Sequence, residues 1–216
     1  MPRSNPTVVR FKQLTQWAER LAPVGPKRPW VIAIVGPPGS GKSTFAEALR
    51  AHWSQRVEIL PMDGFHYDNA VLEAHGWRAR KGAPHTFDLT GFHRVLKQVS
   101  QLKSEDVAVP VFDRTLDLSR GSARLLPRDT DIVLVEGNYL LLDQPGWRNL
   151  RPLFDVSLML TAPSEVLVDR LTQRWLDHGF DPAQAAEKVN SNDLLNLQSV
   201  LEHSLTADWT CDIGDL

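Results

Sequence analysis

The chain has 216 residues, 42% hydrophobic and 23% charged, with a formal net charge of -2 and a single cysteine. This composition excludes a disordered or collagen-like chain and supplies enough apolar material for an independent core. The charge balance gives no general basic surface for nucleic acid or an anionic membrane, and the lone Cys211 excludes an internal disulfide.

Cys211 fits a reducing compartment, or simply a small apolar residue beside a strand. No stretch approaches the ~18 apolar residues of a membrane span, and the N-terminus lacks a signal-peptide core, so the expected location is cytoplasmic. Nothing marks a linker between halves, and residues 1–216 read as one domain.

In chain order, residues 1–29 read as a leading helix and a turn-rich joint, "LAPVGPKRP". "WVIAIVG" from Trp30 reads as the first core strand, followed by a helix in "GKSTFAEALRAHW" with Phe45, Leu49 and Trp53 at intervals of four. "VEIL" from Val57 is the next strand. Residues 64–129 then form a connection far longer than a crossover helix, expected to build the acceptor pocket. Within it, "TGFHRVLKQVSQLK" places Phe92, Val95, Leu96, Val99 and Leu102 on one face, with Thr90 as N-cap, and "VAVPVF" reads as a strand. "DIVLVEG" from Asp131 and "VSLMLTA" near Val156 are almost continuously apolar, as parallel strands covered on both faces are. A helix opens near Ser164 and stops at Gly179; another opens at Asp181-Pro182. Strands alternating with helices define an α/β fold with a mainly parallel sheet, whose ligands bind outside the carboxyl ends of the strands. The residues there are the Gly36 loop, Asp63 and Glu136.

That loop is "GPPGSGKST": Gly36, Pro37, Pro38, Gly39, Ser40, Gly41, Lys42, Ser43 and Thr44. It matches G-x-x-x-x-G-K-[ST], with a strand before it and a helix after. Its glycines let the backbone turn several N–H groups inward around a β-phosphate, and the helix start adds its positive end. Lys42 supplies a charge between β- and γ-phosphates, Ser43 a hydroxyl for Mg²⁺, and Thr44 lies nearer the α-phosphate. A triphosphate and a magnesium ion are the expected cofactors. Motors, switches and phosphotransferases all share this cradle.

Glu136 either helps hold the metal or caps the "EGNYL" turn. Asp63, in "PMDGFHYDN", is either the base that takes the proton of an attacking hydroxyl or an Asx-turn residue. Arg170 and Arg174, one helical turn apart, either clamp a transferring phosphoryl group or are solvated surface charges. Asn192, Asp193 and Asn196 form a polar cluster that reads as helix caps or as part of the site. The polar candidates for acceptor contact are His66, Tyr67, His85, Asp113 and Arg114. The two histidines also read as ordinary turn residues, and Asp113 with Arg114 as a local ion pair.

The succession "GPPGSGKST", "MDGFHYDN", "RKGAPHTFD", "VPVFDR" and "IVLVEGNYLLL" resembles the P-loop kinases of the phosphoribulokinase, uridine kinase and bacterial pantothenate kinase superfamily. It is most similar to the short members described as nucleoside-kinase-like or fructokinase-like. The resemblance spans Trp30 to Asn196 and implies a three-layer P-loop fold: a five-stranded parallel sheet of order 2-3-1-4-5, helices on both faces, and an arginine-bearing helical lid over residues 164–192. It implies ATP and Mg²⁺, transfer of the γ-phosphoryl group to an alcohol of a small metabolite, Asp63 as base, Glu136 at the metal, and Arg170 and Arg174 in the lid. The stretch Lys81-Gly82-Ala83-Pro84, then Phe87-Asp88, is closer to the pantothenate kinase pattern than to the uridine kinase one, yet the chain lacks the extended N-terminal region of pantothenate kinases. A sugar such as fructose is the first-choice acceptor, with nucleoside and pantothenate-like acceptors behind it.

A different class is a nucleotide-dependent switch or ATPase module. A guanine-nucleotide switch needs Asn-Lys-x-Asp and a transporter ATPase needs Leu-Ser-Gly-Gly-Gln; the chain has neither, which favours the kinase. A degenerate member acting only as a binding module stays open, as does the oligomeric state.

Overall fold

A computed structural model describes residues 7–10, 28–53, 55–101 and 105–214. Its centre is a six-stranded, all-parallel sheet: β1 (Thr7–Arg10), β2 (Trp30–Val35), β3 (Val57–Pro61), β6 (Ile132–Gly137), β7 (Val156–Thr161) and β8 (Trp209–Asp212), in the order β1-β8-β7-β2-β6-β3. Omitting β1, this is the expected order; β1 adds an edge strand. Residues 7–10 are therefore extended rather than part of a leading helix, and the rest of that expected helix, with most of its joint, lies outside the described residues. β4 (Val107–Asp113) and β5 (Leu118–Leu126) form a separate antiparallel hairpin. Its register shifts between Val109 and Val111, at Pro110, whose ring nitrogen has no proton to give the ladder.

The central strand β2 is apolar throughout and β6 is apolar up to Glu136, because both faces are covered. Val31, Ala33, Val35, Val133 and Val135 point to one face, against Phe92, Leu96 and Val99 of α3 (Leu89–Val99) and Val200 of α6 (Leu194–His203). Ile32, Ile34, Ile132 and Leu134 point to the other, against Phe45, Ala46 and Leu49 of α1 (Lys42–His52), with Trp53 packed just past its end. Cys211 lies in β8 on this second face, and burial pushes its thiol up to about 11, which keeps it protonated and unreactive.

Two helix starts test the capping expectations. α3 begins one residue before Thr90: Asp88 is the cap, its Oδ1 accepting from the Gly91 N–H at 2.8 Å. The expected Leu102 on this helix lies outside the described residues. α5 (Pro182–Lys188) opens as expected at Asp181, where Asp181 Oδ1 accepts from Gln184 N at 2.9 Å and Gln184 Oε1 accepts from Asp181 N at 3.2 Å. α2 (Asn69–Ala74), with Asp68 as its cap, precedes α3, and α4 (Ser164–Asp177) precedes α5. A π-helical turn, Val189–Asp193, joins α5 to α6, and Leu167 and Leu171 of α4 pack with Val189 and Leu197 into a third apolar cluster. Among the described residues, no helix is long and apolar enough to cross a membrane.

Candidate active site

The loop Gly36 to Thr44 runs from the carboxyl end of β2 into α1. Gly39 (φ 80) and Gly41 (φ 70) occupy the left-handed region, which other residues enter only with strain, and which turns successive N–H groups to one side. No side chain caps α1, so its first-turn N–H groups and positive end face the loop. Ser40 is 1% exposed, and among the described residues its Oγ has no hydrogen-bond partner. Such a buried, unpaired hydroxyl is costly unless a ligand meets it. Lys42 folds back over the loop, its Nζ donating to the Pro37 carbonyl at 3.0 Å. Burial pulls its ammonium below the ordinary lysine value, opposed by the charges of Glu136 and Asp63 and reinforced by Arg174. All three groups therefore lie within electrostatic reach of Lys42.

Glu136, 7% exposed near the end of β6, accepts a hydrogen bond from Ser43 Oγ at 3.1 Å. β6 neighbours β2, with Glu136 paired to Ile34, and this register brings the acid beside the loop. Burial and the Asp63 charge push the Glu136 carboxyl above the usual range, against Lys42, Ser43 and Arg114, which hold it down. The bond to Ser43 replaces the turn-capping role that the sequence left open. A magnesium ion keeps several waters and phosphate oxygens and needs only one or two protein oxygens, so Ser43 and Glu136 fit it, as the loop fits a triphosphate.

Asp63 sits on a short 3-10 turn (Met62–Phe65) directly after β3. Arg114 Nη2 lies 3.6 Å from its Oδ2, and among the described residues no backbone N–H caps this carboxylate, so it is not an Asx-turn. The turn is held through its main chain: the Asp63 carbonyl accepts from His66 N at 3.2 Å and contacts His66 Nδ1 at 2.8 Å. A carbonyl only accepts, so the proton is on Nδ1 and Nε2 is left as an acceptor. The His66 ring packs at a tilt against Phe87 (4.0 Å) and Phe112 (5.0 Å), and burial pulls its pKa down, keeping it neutral.

The other expected acceptor residues fall in different surroundings. His85 is exposed, 5.2 Å from the Trp77 ring, and Tyr67 is half-buried, its N–H donating to the Thr86 carbonyl at 3.0 Å. Asp113 and Arg114 do not pair with each other: Asp113 takes Arg120 at 3.4 Å and the N–H groups of Thr115 and Leu116 at 3.1 Å, freeing Arg114 to reach Asp63. Arg170 and Arg174 likewise diverge, Arg170 donating to the Ile213 carbonyl at 3.3 Å and Arg174 to Asp193 at 3.2 and 3.3 Å. Asn192, Asp193 and Asn196 are not end caps; they bond across the fold from one continuous helical stretch.

Three residues not singled out from the sequence, Tyr139, Asn69 and Asp117, bond into the same region. Tyr139, fully buried, donates to the Gly82 carbonyl at 2.7 Å. Lys81 Nζ donates to Asn69 Oδ1 at 2.8 Å and Asp117 Oδ1 at 2.9 Å, above the Phe112 ring. Asp117 has φ 50, strained for a residue with a side chain, and its carboxyl is pulled down by Lys81 and Arg78 against its own burial. The lone hydroxyl in the apolar run "NYLLL" was the available signal for Tyr139; nothing local marked Asn69 or Asp117.

A glycine-rich phosphate loop at the carboxyl end of a central parallel strand, with acids at the ends of the next two strands on one side of it, β6 and β3, defines a P-loop nucleotide-binding protein of the kinase type. More narrowly, a family model described as "Phosphoribulokinase / Uridine kinase family" matches residues 31–190, and the chain belongs to that family, whose members are kinases of small-molecule hydroxyl groups. It is 36% identical over 209 residues to the uncharacterized protein YggC of Escherichia coli, covering 94% of this chain and 86% of that one. It is 32% identical to a protein of Schizosaccharomyces pombe provisionally named a uridine kinase, covering 82% and 80%. A crystal structure from Silicibacter, of a protein provisionally named a fructose transport system kinase, superposes with a TM-score of 0.86 at 41% identity, covering 91% and 98%.

Proposed function

We propose that this protein is an ATP- and Mg²⁺-dependent kinase that transfers the γ-phosphoryl group to a hydroxyl of a small metabolite, a sugar first. The observation that carries the reading is a second carboxylate, Asp63, at the rim where Lys42 and Glu136 meet: with Glu136 at the metal, a separate acid is left to take the proton of an attacking alcohol, and the chain belongs to a family of kinases. The sugar is supported by the name of the Silicibacter protein, and a nucleoside by that of the S. pombe relative.

When bound, magnesium–ATP supplies the transferable phosphoryl group with part of its charge already neutralised. The loop N–H groups, Ser40, Lys42 and Thr44 bind the phosphates, while Ser43 and Glu136 hold the metal. Asp63 accepts the proton of the attacking hydroxyl, its main chain held by His66 and its carboxylate facing Arg114. His66 Nε2 receives a second hydroxyl of the acceptor, with Tyr67, His85, Asp113 and Arg114 around it. Arg174 and Arg170, on the lid at 164–192, offset the charge that builds on the transferred group.

The test is ADP formation with ATP and Mg²⁺ across sugars, nucleosides and vitamin alcohols. Asp63→Asn should retain ATP binding and lose about 10²–10⁴-fold in kcat, the range of general base catalysis; Lys42→Ala should weaken both binding and turnover. ADP release indifferent to every acceptor, and to Asp63, would replace the kinase reading with the switch.

A further inference from the structure

Asp193 is 5% exposed. A carboxylate so buried persists only if its charge and both oxygens are met. Arg174 Nη2 bridges Oδ1 and Oδ2 at 3.2 and 3.3 Å, and the indole Nε1 of Trp175 donates to Oδ2 at 2.6 Å. The indole bond fixes the carboxylate's rotation, and the Trp175 ring lies 5.3 Å beneath the Arg174 guanidinium. The arginine is thus gripped on its inner side while remaining partly open to solvent, within electrostatic reach of Lys42.

The same turn holds the opposite side of the site. Asn192 Nδ2 donates to the Lys81 carbonyl at 2.8 Å, and Asn192 Oδ1 accepts from Asn196 at 3.3 Å. Arg80 donates to the Ser191 carbonyl at 3.0 Å and to Asn196 Oδ1 at 3.2 Å. The loop so fixed continues into Gly82, whose carbonyl takes the Tyr139 hydroxyl, and Lys81 reaches Asn69 and Asp117 beside the Asp63 turn. Adjacent residues on a helix diverge by ~100°, so Asn192 and Asp193 necessarily address different neighbours. The extra residue of a π turn is costly and recurs at functional sites.

We infer that Asp193 is a positioning residue: it sets Arg174 for the transferred phosphoryl group, while Asn192 one residue earlier fixes the acceptor-side loop, so that a single turn keeps the two halves of the reaction in register. This rests on the kinase reading above, in which Arg174 meets the transferred charge. A purely structural pin would stabilise the lid without regard to Arg174; a positioning residue acts only through it.

A double-mutant cycle separates the two. Asp193→Asn, Arg174→Gln and the double variant are compared in acceptor-dependent kcat and KM, and in affinity for ADP–aluminium fluoride with Mg²⁺, a mimic of the transferring group. Asp193→Asn is expected to lower kcat about 10- to 100-fold, the cost of misplacing a catalytic group by about 1 Å, with KM for ATP little changed. The double variant should be no worse than Arg174→Gln alone in either measurement. Losses that multiply, or an Asp193→Asn protein with wild-type kcat and affinity, would overturn the inference. Should Asp193→Asn melt below the assay temperature, Trp175→Phe removes the indole bond instead; its kcat loss must vanish in the Arg174→Gln background, and persistence there overturns the inference equally. If no acceptor supports turnover by the wild-type protein, the kinase reading fails by itself, and the affinity cycle still decides whether Asp193 acts through Arg174.

Discussion

Gly137 ends β6, next to Glu136, and the chain passes so near Met62 that a Cβ there would lie 2.6 Å from Met62 Cβ, 2.9 Å from its sulfur and 3.2 Å from Cγ. Ordinary contact begins at 3.4 Å, and the nearest atom is a Cβ, fixed to the backbone, so no rotamer change relieves the clash. In Gly137→Ala the end of β6 and the turn after β3 must part by about 1 Å. Met62 is fully buried and precedes Asp63, so the movement separates Asp63 from Glu136. Overpacking of this kind costs about 1–3 kcal/mol. At about 2–4 °C per kcal/mol for a chain of this size, Tm should fall by roughly 2–12 °C. A displacement of about 1 Å between catalytic groups costs about 10²-fold in kcat. Thermal melts and acceptor-dependent ADP formation measure both. Adding Met62→Ala removes the sulfur and Cγ but not the Cβ, and should not restore activity. Wild-type Tm and kcat in Gly137→Ala, or rescue by Met62→Ala, would refute the claim that main-chain approach sets the spacing of the two acids.

Glu136→Gln keeps an oxygen for Ser43 and removes the charge. The Mg²⁺ concentration for half-maximal activity should rise about 10- to 100-fold, as when ligand support is lost at metal sites. The metal-free protein should melt no lower than wild type, because burial and Asp63 already disfavour that charge; a lower melting temperature with unchanged Mg²⁺ dependence contradicts the assignment. His66 gives a pH signature. Its folded pKa is lowered by burial, so below about 6.5, the unfolded value, the unfolded chain takes up a proton that the folded one refuses. Stability conferred by neutral His66 is complete above that pH and is lost as pH falls toward the folded value. In His66→Phe the slope of Tm against pH below about 6.5 should shrink, leaving the part due to His85, whose pKa is also lowered; parallel slopes would remove His66 from this role.

Elements whose pattern is local were legible. The loop, the two-faced strands and the Asp181 cap depend on residues within a turn or two of one another. The start of α3 was not: Asp88 and Thr90 are both good caps, and Asp88 is chosen because the chain enters along Phe65, with Asp88 N donating to the Phe65 carbonyl at 2.8 Å. Strand β5, "LSRGSARLL", has no apolar alternation and is mostly exposed; pairing with β4 makes it a strand. The edge strand "TVVR" is too short to announce itself and forms against β8, from the other end of the sequence.

By itself the sequence placed the glycine-rich loop at the end of β2 and set Asp63 and Glu136 at the same rim, because strand ends in a parallel sheet share one side. Only the tertiary structure decided which charges meet there. Arg114 left Asp113 for Asp63, Arg174 went to Asp193 rather than solvent, and Tyr139 closed on Gly82, 57 residues earlier. Spacing along a helix or strand fixes directions, but a partner from another element is fixed by sheet order and by the paths of the connections, which no local pattern encodes.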